Sequence, residues 1–168
     1  MRVTAGTQTI ESQSSKPGKR ALVSWSGGKD CCLALWRARR DYDIAGLICM
    51  MTEDGTRSRS HGIRPDVLRS QAEALNLPLL TASAGWHNYE AQFAQLLLVG
   101  SREIRATHVI FGDIFPESHR HWAERICAGC DLVAVEPLCF SSISAVISGP
   151  FRPAGEGFGA QRQMVHCG

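Results

Sequence analysis

Short apolar runs alternate with helical patterns along most of this chain, and that alternation constrains the fold more than any other feature. Residues 21–25, 44–51, 77–82, 108–111 and 132–135 read as strands. Segments 30–40, 65–76, 89–105 and 117–129 read as helices between them, with Gly100 as a break in the third. Pro65 suits the first turn of its helix. The first helix is expected to bury Cys32, Leu33, Leu35 and Trp36. The run 44–51 is almost wholly apolar, as in a strand covered on both faces. Strands separated by helices of ten or more residues imply right-handed crossovers and a parallel sheet. The expected class is a doubly wound α/β domain with helices on both faces.

With 168 residues, the chain is one domain with material at either end. Residues 1–19 are rich in Ser, Thr and Gln, lack periodicity and are expected to be a disordered tail. They carry no apolar block of a secretory signal. Residues 139–168 mix Ser, Gly and Pro and read as an irregular tail, with a short strand at 144–147. No apolar run approaches the roughly 18 residues of a membrane span. A net charge of +2 gives no footing for nucleic acid or an anionic membrane. Seven cysteines, an odd number at irregular spacing, favour reduced thiols and a cytoplasmic setting. Cys31, Cys32, Cys49 and Cys127 are expected as small core hydrophobes.

The chemistry concentrates in "VSWSGGKDCC", Val23 to Cys32, where the first strand turns into the first helix. Glycines there admit a ligand close to the backbone, and the helix N-terminus adds partial positive charge. Lys29 adds a full one. A Walker A loop is excluded, because Val23 stands at its first glycine and Asp30 follows the lysine. Gly155, Gly157 and Gly159 imitate part of a dinucleotide fingerprint but lack a preceding strand. What remains is Ser-Gly-Gly-x-Asp, which resembles the PP-loop of ATP pyrophosphatases. A carboxylate such as Asp30 beside a phosphate nest makes sense if it holds Mg²⁺.

Together with this loop, "MTEDGTRSRSHGIRPDVLRSQAEALNLPL", "THVIFGDI" and "EPL" resemble the diphthine–ammonia ligase family, within the adenine nucleotide alpha hydrolase-like superfamily. The resemblance covers residues 21–138, so 20–138 reads as a PP-loop domain. It implies a HUP or Rossmann-like sheet of order 3-2-1-4-5. It also implies that ATP adenylates a carboxylate, pyrophosphate leaves and ammonia displaces AMP to form an amide. ATP and Mg²⁺ are the implied cofactors; ammonia and a carboxylate acceptor are the implied partners, with a homodimer possible.

That strand order sets the first and fourth strands side by side at the switch point, where such folds bind ligands. Ser24, Ser26, Gly27, Gly28, Lys29, Asp30 and Cys31 would then face Gly112 and Asp113. Asp30 and Asp113 are candidates for Mg²⁺, and Asp113 reads also as a strand-end turn residue. Lys29, Asp30, Asp113 and His119 are the candidate catalytic set, with His119 in proton transfer. Arg120 is a candidate phosphate contact; His119 and Arg120 read also as part of a capped surface helix. The loop 52–64 is long for a crossover, and Arg59, Ser60, His61 and Gly62 are expected to touch nucleotide or acceptor. Met50 is a candidate adenine contact or a buried strand residue. Glu136 is a candidate for positioning ammonia or acceptor, and Trp86 and His87 read as loop packing.

Two features depart from the family pattern. Cys31 stands where serine is usual, and a thiol donates a weaker hydrogen bond than a hydroxyl. The family's later Gly-Glu-Asn-Gly-Glu-Tyr-His motif has no counterpart after Leu138, so ATP binding carries over better than amide synthesis. Cys127-x-x-Cys130 lies at a helix end, unlike redox motifs, and zinc would need more ligands from Cys139, His166 or Cys167. Two other readings stand beside the ligase: a nucleotide-binding module without ligation, and a PP-loop RNA-modifying enzyme.

Overall fold

A computed structural model describes residues 18–113 and 117–138. Residues 1–17 of the expected N-terminal tail, the strand at 144–147, the glycines at 155–159 and Cys139, His166 and Cys167 lie outside the described residues, whereas Gly18 and Lys19 accept hydrogen bonds from Thr107 and Asp43.

Nine elements alternate along the chain: β1 (Arg20–Ser24), α1 (Lys29–Ala38), β2 (Asp43–Met51), α2 (Pro65–Leu75), β3 (Leu79–Ser83), α3 (Tyr89–Ile104), β4 (His108–Ile110), α4 (Glu117–Ala128) and β5 (Val133–Val135). The strands form one parallel sheet of order β3-β2-β1-β4-β5, as expected. β1 is central, with Ala21, Leu22 and Val23 fully buried.

Side chains alternate across each strand and feed two cores. Leu22, Ile48, Met50 and Val109 point to one side, where α3 and α4 bring Phe93, Leu97, Ala123 and Ile126. Ala21, Val23, Leu47, Cys49, Met51 and Ile110 point to the other, where α1 and α2 bring Ala34, Leu35 and Leu68. Each pair of helices therefore covers its own face.

Local chemistry ends the helices. α2 stops at Asn76 and α3 at Arg105, both left-handed with φ of 53° and 57°; Asn tolerates that conformation better than most side chains. α1 corrects the expected face. It buries Cys31, Ala34, Leu35 and Ala38, spaced i, i+3, i+4 and i+7. Cys32 is exposed, and Leu33 and Trp36 are 42% and 47% exposed. Hydrophobicity alone favoured the larger residues, but Ala34 and Ala38 let the helix approach the sheet closely. Trp36 stays outside with the Arg40 guanidinium 5.1 Å from its ring centre.

Gly100 is no break: α3 runs through it. A β-carbon there would lie 2.8 Å from Leu22 Cδ1, so the glycine marks where α3 presses on β1. Among the described residues no helix is long and apolar enough to cross a membrane.

Candidate functional site

The loop between β1 and α1 is shaped by Gly27, whose φ of 80° is costly for a residue with a β-carbon. Gly28 caps α1 in extended conformation with no side-chain hydrogen bond to the first turn. The helix's leading N–H groups thus lack a side-chain cap, the arrangement that suits an anion. Two residues not singled out from sequence brace the turn. Trp25 Nε1 donates to Gln71 Oε1 at 2.9 Å, and Gln71 Nε2 donates to the Gly27 carbonyl at 3.2 Å. Gln71 lay hidden because it reads as an ordinary polar position on an amphipathic helix.

Cys31 faces inward. Its thiol donates to the Gly28 carbonyl at 3.0 Å and receives the Ser26 hydroxyl at 3.4 Å. Lys29 projects into solvent, and its Nζ lies 3.0 Å from Asp30 Oδ2. Ser24 and Ser26 are half-buried at the strand end.

Across the switch point, β4 abuts this loop directly. A β-carbon on Gly112 would lie 2.7 Å from both N and Cα of Cys31 and 2.9 Å from the Asp30 carbonyl carbon. Asp113 follows, with His119 Nδ1 3.6 Å from its Oδ2. Arg120 is engaged with Glu124 at 3.0 Å along α4. Just past β5, Glu136 has a buried Oε1 without a hydrogen-bond partner among the described residues. Burial, then the Asp113 carboxylate, pushes the Glu136 carboxyl above its ordinary range.

The loop 52–64 is a folded unit tied to the strands. Ser58 pairs with Met51 in an antiparallel bridge and is almost completely buried. Its hydroxyl accepts the Ile63 N–H at 3.0 Å and reaches the Ser26 carbonyl at 3.5 Å. Arg57 Nη1 donates to the Gly62 carbonyl at 2.9 Å, and Gly62 has a φ of 63°. The fold brings His61 over the phosphate loop: a β-carbon on Gly28 would lie 2.6 Å from His61 Nε2. Ser60 is exposed at the loop surface.

Arg59 turns the other way, toward α3. Its Nη1 donates to the Ala84 carbonyl at 2.6 Å, and its Cζ lies 4.1 Å from the Trp86 ring centre and 5.6 Å from that of Tyr89. Trp86 is 85% exposed, so it is a surface ring over Arg59 and not the packed loop residue expected. His87 is exposed as well. Met50 is buried in the α3–α4 core, where its side chain packs below the loop.

Cys127 and Cys130 are both buried, and burial pushes the Cys127 thiol up to about 12. Among the described residues no three His, Cys, Asp or Glu side chains gather into a metal set. Asp30 stands in the first turn of α1 and Asp113 just past β4; a pair of carboxylates is the donor set that Mg²⁺ accepts when phosphate and water complete its shell.

The sheet order, the glycine loop leaving its central strand and the carboxylate opposite define a Rossmann-like α/β domain with a phosphate-type loop at the switch point. The family model for the diphthamide synthase N-terminal domain matches residues 19–133 of the 168, and the chain belongs to that family. The family is of the PP-loop, ATP-using type. A search of the curated proteins found no match.

Proposed function

We propose that this chain binds ATP with Mg²⁺ and activates a carboxylate by adenylation, with ammonia then displacing AMP to give an amide. One observation carries the reading: Gly112 lies against the Asp30–Cys31 backbone, so Asp113, in the segment that follows β4, comes next to an uncapped glycine loop. Phosphates and a carboxylate-bound cation would meet there. The family supplies ATP as the substrate class.

In this reading Ser26, Gly27 and Gly28 cradle the β and γ phosphates with backbone N–H groups, and Lys29 adds charge to the leaving pyrophosphate. Asp30 and Asp113 would hold Mg²⁺, which when bound draws off charge that accumulates on the phosphate oxygens. Lys29 must leave Asp30 to do so, and its exposed side chain is free to swing. His61, over Gly28, closes the loop from above. His119, with Nδ1 3.6 Å from Asp113 Oδ2, would serve in proton transfer to or from the substrate. Glu136, with its buried unpartnered oxygen and raised affinity for a proton, is suited to receive ammonium and keep the proton as ammonia departs. A cytoplasmic setting, from the reduced cysteines, belongs to the same proposal.

The test is product identity. The protein is incubated with Mg²⁺, α-labelled ATP, ammonium and a panel of carboxylates. AMP and pyrophosphate are expected, and both should vanish in Lys29→Ala and Asp30→Asn. ADP in place of AMP would exclude adenylation; ATP binding without any product would leave a nucleotide-binding module.

A further inference from the structure

The loop 52–64 places one cation where its own surroundings leave it incomplete. Arginine stays charged at any accessible pH, and its planar fork wants acceptors on each arm. In Arg59 one arm is satisfied, by the Ala84 carbonyl at 2.6 Å. The other, Nη2, is buried and has no hydrogen-bond partner among the described residues. Among the described residues no carboxylate forms an ion pair with it. Glu53 lies against Gly85, its Oε2 3.0 Å from where a β-carbon there would sit, and forms no ion pair with Arg59. A buried, charged donor without an acceptor is costly, and native structures seldom retain one without a use.

The arm is also held in place. The Arg59 backbone N–H donates to the Met50 carbonyl at 2.9 Å, which fixes the residue at the end of β2. Trp86 and Tyr89 hold the guanidinium plane from the side. Yet the Trp86 ring is 85% exposed and belongs to neither core cluster. A guanidinium with one unsatisfied arm lies beneath a surface ring.

We propose that Arg59 is an oxyanion receptor and Trp86 its cover, on the β2–β3 side of the crevice. A carboxylate or a phosphate has the acceptor oxygens that Nη2 lacks, and guanidinium recognises both. Arg59 follows Ser58, whose hydroxyl approaches the Ser26 carbonyl of the glycine loop, while its own guanidinium lies against Ala84, Trp86 and Tyr89 beyond the end of β3; the titration distinguishes the two sources. The receptor stands independently of the ligase reading; assignment of the anion to an acceptor carboxylate rests on it.

The fluorescence of Trp86 reads the event directly. The full chain is titrated separately with glutarate, inorganic phosphate and ATP, and the response of Trp86→Phe is subtracted. A saturable Trp86-dependent change is expected with at least one of them. It should weaken about tenfold or more in Arg59→Lys, which keeps the charge and loses the fork. A response to glutarate identifies a carboxylate receptor; a response to phosphate or ATP alone identifies a nucleotide contact. The proposal is overturned if none of the three changes Trp86 emission, or if Arg59→Lys responds like the parent chain. Melting curves confirm that each variant is folded. Pyrophosphate binding to the parent chain and Lys29→Ala, measured by calorimetry, tests the phosphate loop separately.

Discussion

Replacing Gly112 with Ala should damage this protein out of proportion to the single methyl group added. The new carbon would sit 2.7 Å from two backbone atoms of Cys31 and 2.9 Å from a third in Asp30. Ordinary contacts begin near 3.4 Å, so about 0.7 Å must be found. No side chain can supply it by rotating, because every atom met is main chain. Either the end of β4 or the start of α1 must shift, and overpacking of this kind costs roughly 1–3 kcal/mol. For a chain of this size each kcal/mol moves the midpoint about 2–4 °C, so the melting temperature should fall by roughly 2–12 °C. Gly129→Ala is the control: its nearest contacts would be 3.6 and 3.7 Å, and no loss is expected. Gly28→Ala makes a third case, because only the His61 ring stands in the way and it can move. It should melt near the parent temperature while pyrophosphate binding weakens. Calorimetric melts and pyrophosphate titrations of the three variants check the pattern. A Gly112→Ala protein that melts and binds like the parent would refute the close approach of β4 to the phosphate loop.

Two further outcomes follow from the described contacts. Glu90 accepts hydrogen bonds from Arg125 and Trp122, which hold its carboxyl down at about 2 against an ordinary 4.5. Because the folded value lies below the unfolded one, this contribution is complete above pH 4.5 and is lost toward pH 2; Glu90→Gln should flatten that part of the stability profile, and an unchanged slope in acid titration would contradict it. Cys32 is exposed, whereas burial pushes the Cys49 and Cys127 thiols up to about 12. Iodoacetamide at pH 8 followed by peptide mass mapping should therefore label Cys32 well before either of them, and equal labelling would place those two thiols at the surface.

The sheet was legible because its signals are collective: five apolar runs and four intervening helices tolerate an error of one or two residues at each end. Facing of single residues was less legible. For α1 the large residues Leu33 and Trp36 outweighed Ala34 and Ala38, although small residues suit a helix lying tightly on a sheet. Gly100 read as a helix breaker, yet it is a contact surface for Leu22, a fact that depends on a strand 78 positions earlier in the chain. The turn between β1 and α1 was legible from its glycines, since a left-handed conformation at Gly27 is a local property. Its brace through Gln71 was not, and neither was the stack of Arg59 on Trp86, because each joins residues far apart in sequence.

The buried hydroxyl of Ser58 has a consequence for binding order. It grips the Ile63 N–H on one side and reaches the Ser26 carbonyl on the other, so the loop 52–64 and the phosphate loop share a fastening. A ligand that stills one loop removes part of the freedom the other would lose on binding its own ligand. Under the proposed function the benefit would be mutual by linkage: whichever of nucleotide or acceptor arrived first, the later one would meet a more ordered partner surface.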